Sequence, residues 1–180
     1  PISISNEKKQ ITLSRGFRCF LYFILISVEC IMNVPNGLLS SASNEIKKQL
    51  IMSDSEFGLF GTVVSIGRII SSTLFGVFNK SINLKWTITF SVFNFAASSS
   101  GFFLSTNKYL CIGLRGIQGF SQMPPSVYLA IWINQYGIRK YKTVKMTSIQ
   151  LSQTSGKCIG FLINFILGNE NWKYGFLATG

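Results

Sequence analysis

The chain has 180 residues, 47% of them hydrophobic and only 13% charged, with 17 Lys and Arg against 6 Asp and Glu, no His, and a mean hydropathy of +0.35. That charged fraction is about half of what a soluble domain carries. The pI near 9.8 raises the question of nucleic acid. Such binders gather Lys and Arg on a polar face with aromatics interleaved, whereas here the cations separate long apolar stretches and the 16 Phe lie within those stretches. No nucleic-acid partner is expected, and the composition points to a membrane. Cys19, Cys30, Cys111 and Cys158 are far apart and form no CxxC pair, so neither a metal site nor a disulfide framework is expected. Without His, paired carboxylates, GxSxG or a phosphate loop, the residues offer no enzyme chemistry and no cofactor site.

A helix crosses the hydrocarbon core with about 20 mostly apolar residues. Residues 1–14 form a polar lead, expected to be disordered and cytoplasmic. Residues 15–180 read as one helical membrane bundle. Its spans fall at about 17–36, 57–78, 86–104, 109–133 and 144–167, and a sixth begins at Trp172. The fold class is therefore all-α, with five complete transmembrane helices and the start of a sixth. The first residue is Pro1 and the last apolar segment is short, so a fragment of a longer protein is expected. Several apolar runs of similar length follow the first, which argues against a signal peptide.

Orientation follows the cations, because Lys and Arg near span ends stay on the cytoplasmic side. Ten fall before the first span, between the second and third, and between the fourth and fifth: Lys8, Lys9, Arg15, Arg18, Lys80, Lys85, Arg139, Lys140, Lys142 and Lys145. The other side carries Lys47, Lys48, Lys108 and Lys173, offset by Glu45, Asp54, Glu56 and Glu170. The protein is expected to be multi-pass with a cytoplasmic N-terminus. In the first outer connection, NEIKKQL reads as a short surface helix. Ser53 or Asp54, followed by Glu56, then reads as the cap of the second span.

Charges within spans normally face a protein interior or a water-filled cavity. Four occur: Glu29, Arg68, Arg115 and Lys157. Glu29 reads either as a titratable or substrate-pairing carboxylate or as the acid of a static ion pair, with Lys157 as one candidate partner. Arg68 stands among Gly58, Gly61, Gly67 and Gly76, which read as sites of close helix approach, and reads either as packing glue or as a cavity-facing cation. The Gly156 and Gly160 pair around Lys157 reads as a helix contact. Pro124 and Pro125 interrupt the fourth span's backbone hydrogen bonds and are expected to kink or loosen it. Three cations against one acid suit an anionic or zwitterionic group.

Several of these segments resemble the major facilitator superfamily, among whose branches the Spinster-like transporters are the most similar. The resemblance runs from Asn33 through SDSEFGLFGT at 53–62 to WKYGF at 172–176. It implies the N-terminal six-helix half of a two-half transporter, with the C-terminal half of the same chain as its partner. The family's loop signature G-x-L-x-D-R-x-x-R-K falls on residues 76–85, GVFNKSINLK. Gly76 and Lys85 fit, while Lys80 replaces the Asp, and Ser81 and Leu84 replace the two Arg. The fourth-span signature R-G-x-x-G-x-G-E falls on residues 115–122, RGIQGFSQ. There Arg115 and Gly119 are kept, and Gln122 replaces the Glu associated with proton coupling. Asn36 and Gly37 stand where many members have Asp-Arg, which leaves Glu29 as the one membrane acid.

The resemblance implies a secondary active transporter of small organic solutes by alternating access. The Spinster-like branch suggests an anionic or zwitterionic amphiphile such as a lysolipid. The expected path residues are Glu29, Arg68, Arg115, Gln122 and Lys157, with membrane lipid, a small-molecule substrate and protons as partners. A non-transporting receptor or scaffold that keeps the fold is the alternative, motivated by the altered motifs.

Overall fold

A computed structural model of the chain describes residues 15–78, 84–136, 141–168 and 172–180. Within them lie seven helices: α1 (Arg15–Ser41), α2 (Ser43–Leu50), α3 (Asp54–Phe78), α4 (Leu84–Leu104), α5 (Lys108–Tyr136), α6 (Lys142–Leu167) and α7 (Trp172–Leu177). The lead at 1–14 and Lys80 lie outside the described residues, as does the side chain of Lys85. At 1.5 Å per residue the five long helices span roughly 30 to 45 Å, enough for a bilayer core. Among the described residues, Gly16–Ser41, Asp54–Val77 and Trp86–Leu104 are long and apolar enough to cross a membrane. The remaining two expected spans, in α5 and α6, have the length at 29 and 26 residues but are more polar.

Short features between α1 and α3 close one end of the bundle. The α2 helix is amphipathic, burying Ile46 and Leu50 and exposing Lys48. It ends at Ile51, a β-branched residue in the left-handed region with φ 51°. The Met52 N–H donates to the Lys47 carbonyl at 3.0 Å. Ser53 is the cap of α3: the Glu56 N–H donates to Ser53 Oγ at 3.3 Å, and the Ser53 N–H donates to Glu56 Oε2 at 2.9 Å, the reciprocal box that satisfies two free donors. The alternative, Asp54, instead pairs with Lys47 at 2.6 Å.

Two glycine contacts hold the long helices. A Cβ on Gly156 or Gly160 would lie 2.1 Å from the Cys30 carbonyl oxygen or 2.3 Å from that of Val34, so the helix contact expected of this pair is made, and it is made with the α1 backbone. Gly67 likewise meets the Gly116 carbonyl, and Gly119 meets that of Val64, joining α3 to α5. Gly58, Gly61 and Gly76 face open space, so of the four α3 glycines only Gly67 serves helix approach. Pro35 lies inside α1, and Pro124 and Pro125 lie inside α5, which stays helical through both. Neighbouring helices compensate for backbone hydrogen bonds that proline removes, which lets such helices persist in a membrane.

Two apolar cores result. One gathers Leu38, Ile46, Phe60, Phe102, Trp172 and Phe176 toward the end of the bundle that carries α2. The other, at the opposite end, gathers Leu25, Leu129, Trp132, Ile133 and Ile149 from α1, α5 and α6. There the Tyr22 ring stacks on Trp132 at 6.2 Å, Lys145 Nζ lies 5.1 Å from the Tyr22 centroid, and the Tyr22 hydroxyl meets Ser148 Oγ. Between the two cores the interior is polar.

Candidate functional site

That polar level holds a cavity of about 570 Å³ bordered by α1, α3, α5 and α6. Glu29 and Asn33 are supplied by α1, Arg68 by α3, Gln122, Met123, Ser126 and Ala130 by α5, and Met146, Thr147, Ile149, Gln150 and Gln153 by α6. The helical repeat explains the set, since Glu29 and Asn33, Gln122 and Ser126, and Gln150 and Gln153 are each three or four residues apart and share a face.

Two linked hydrogen-bond groups line it. Arg68 Nε donates to Gln122 Oε1 at 2.9 Å, and Arg68 Nη2 donates to Asn33 Oδ1 at 3.2 Å. Gln122 Nε2 donates to the Met32 carbonyl at 2.6 Å, so its amide bridges the α3 guanidinium and the α1 backbone. Asn33 Nδ2 donates to the Glu29 carbonyl at 2.8 Å. The Glu29 carboxylate is almost fully buried and takes Ser126 Oγ on one oxygen at 2.6 Å and Gln153 Nε2 on the other at 3.2 Å. Its direct partners are thus a hydroxyl and an amide. Ion pairs lie away from it: Lys48 with Glu45 within α2, Lys47 with Asp54 between α2 and the first turn of α3, and Lys108 with Glu56 between the first turns of α5 and α3.

Of the residues expected on the path, Glu29, Arg68 and Gln122 come together at this cavity. Arg115 does not reach it. Arg115 is two helical turns from Gln122 and shares its face, but at its level the neighbours are aromatic. The buried guanidinium lies 5.7 Å from the Phe60 ring and 5.6 Å from the Phe176 ring. Nη1 donates to Gln118 Oε1 at 2.8 Å and Nη2 to the Pro35 carbonyl at 3.3 Å. It therefore braces α1, α3, α5 and α7.

Lys157 is also displaced from the expected position. Gly156 and Gly160 occupy the α6 face against α1, and the Lys157 side chain is exposed instead of meeting Glu29. The loop-signature glycine, Gly76, is exposed near the end of α3.

Asn33, Ser126 and Gln153 were not singled out by sequence. Their signal was present in the spacing, since Asn33 follows Glu29, and Ser126 follows Gln122, by four residues. What spacing lacked was which α6 side chain faces the acid.

A family description, sugar (and other) transporter, matches residues 19–178. The chain belongs to that family of major facilitator transporters. It is an integral membrane protein of all-α architecture, and the match takes in α1 from residue 19, the other four long helices and every residue that lines the cavity. Among curated proteins none matches the sequence.

Proposed function

We propose that this chain is the substrate-binding part of a secondary active transporter for small organic solutes. It works by alternating access against a second helical half, with its N-terminus in the cytoplasm. The observation that carries this reading is the placement of Arg68. A guanidinium midway along a membrane helix faces a cavity that it shares with Glu29, and its direct partners are two amides, which leaves it able to bind the anionic group of a ligand.

Glu29 completes the reading as the proton-linked group. A carboxylate fixed by an Arg or Lys resists protonation, whereas a hydroxyl can donate to the ionised form and accept from the neutral one. Ser126 stands in that relation to Glu29, and Gln153 supports the second oxygen. Substrate hydroxyls or an anionic head would meet Arg68, Asn33, Gln122 and Gln153. Met123, Met146 and Ile149 offer an apolar wall for the rest of an amphiphile, the substrate class to which the Spinster-like resemblance points.

The test is uptake by the full-length transporter in proteoliposomes, with candidate solutes screened by ligand-dependent thermal stabilisation. Arg68→Gln should abolish uptake and the stabilisation by ligand while insertion persists. Wild-type uptake in Arg68→Gln would overturn the assignment.

A further inference from the structure

The α6 helix presents three faces. Ile149, Ser152, Gly156, Gly160 and Asn164 are buried, with Gly156 and Gly160 against the α1 backbone. Val144, Leu151, Leu162 and Ile166 are exposed and apolar, a surface suited to hydrocarbon. Between these lies a third face made of Thr147, Gln150, Thr154 and Lys157, all exposed and three or four residues apart. It begins at the cavity, which Thr147 and Gln150 line, and continues past it to Lys157, one turn beyond Gln153.

The polar groups of this face differ in what they need. The threonine hydroxyls turn back to their own helix, Thr147 donating to the Thr143 carbonyl at 3.1 Å and Thr154 to the Gln150 carbonyl at 3.0 Å. Lys157 carries three donors and a full charge. It lies about 15 Å of helix from Leu167 and about 22 Å from Lys142, the two ends of α6. A four-carbon stem does not carry the ammonium from there to a headgroup layer, so hydrocarbon is a costly neighbour for this face. The acids among the described residues are already engaged. Glu29 takes Ser126 and Gln153, while Glu45, Asp54 and Glu56 take Lys48, Lys47 and Lys108.

We propose that Lys157 is this chain's share of an ion pair that fastens a second helical bundle to α6 beside the cavity, the other share being a carboxylate on a membrane helix of that bundle. The proposal rests on the reading of the chain as one half of a transporter. Charge sets the chemistry of the partner: an exposed ammonium at this depth, on a polar face that no helix of this chain covers, is complementary to an acid brought by another protein surface.

The test compares unfolding temperatures of the purified full-length protein. Lys157→Met and Lys157→Arg are measured, and each membrane carboxylate of the second bundle is replaced by its amide, alone and together with Lys157→Met. Removing one member of a buried pair strands the other charge, whereas removing both does not. Lys157→Met should therefore lower the unfolding temperature by several degrees, and Lys157→Arg should hold it near wild type. One amide replacement should lower it likewise and, combined with Lys157→Met, should restore at least half of the loss. If Lys157→Met yields no folded protein, recovery of the yield by one amide replacement supports the pair and recovery by none overturns it. An unchanged or raised unfolding temperature in Lys157→Met would overturn the proposal, because that is the result for an ammonium facing water or lipid. So would a second bundle in which no carboxylate couples to position 157. Uptake separates this outcome from the transporter reading. A stable Lys157→Met variant that still transports removes the ion pair and leaves the transporter, whereas a wild-type protein that moves no candidate solute removes the transporter while the unfolding comparison still reads the pair.

Discussion

Gln122 joins Arg68 to Met32: its amide oxygen accepts from the Arg68 guanidinium at 2.9 Å while its amide nitrogen donates to the Met32 carbonyl at 2.6 Å. One side chain on α5 thus ties α3 to α1 at the level of the cavity. Gln122→Leu removes both bonds and should cost about 1–3 kcal/mol, the range for leaving buried polar partners unpaired. Gln122→Glu keeps an acceptor for Arg68 and should cost less. Thermal unfolding of the purified variants, read side by side, checks the order.

Glu29 is expected to link uptake to protons. Glu29→Gln mimics the neutral carboxyl while keeping an acceptor for Ser126, so substrate-dependent stabilisation should persist while concentrative uptake driven by a pH gradient is lost. Uptake that still follows the imposed pH gradient in this variant would remove Glu29 from that role.

Arg115 holds the fold and does not touch the cavity. The guanidinium is buried between the Phe60 and Phe176 rings and away from the cavity. Arg115→Ala should lower the unfolding temperature by several degrees and reduce the yield of folded protein. Ligand affinity in the folded fraction should stay near wild type, and an affinity loss with unchanged stability would place Arg115 in the ligand's path instead.

Gly160→Leu should separate α6 from α1, because even a Cβ there would lie 2.3 Å from the Val34 carbonyl oxygen and 2.8 Å from the Leu38 nitrogen. Backbone cannot give way as a flexible side chain can. Gly58→Leu, which meets open space, is the matched control and should unfold at the wild-type temperature.

At the turn between α2 and α3, Ser53→Ala should destabilise by about 1 kcal/mol through loss of the α3 cap. Ile51→Gly should stabilise by about 1 kcal/mol, since the left-handed backbone at φ 51° costs a β-branched residue what glycine does not incur. Opposite signs from neighbouring positions in the same unfolding assay make the pair a sharp check.

The sequence by itself determined the number and approximate place of the long helices, a cap at Ser53 or Asp54 with Glu56, a close helix approach at Gly156 and Gly160, and the major facilitator family. These are local or periodic properties: apolar run length sets a span, a Ser with an acid three residues later sets a cap, and small residues four apart set a close approach. Only the tertiary structure decided which polar residues meet. Arg115 and Gln122 occupy one face of α5, and the helical repeat cannot separate them. What lies opposite that face changes along the helix, from the rings of Phe60 and Phe176 to the cavity shared with Arg68 and Glu29. Lys157 teaches the same point. Its charge suggested a partner for Glu29, but the backbone contacts of Gly156 and Gly160 fix the rotation of α6, and that rotation presents Gln153 to the acid and turns Lys157 outward.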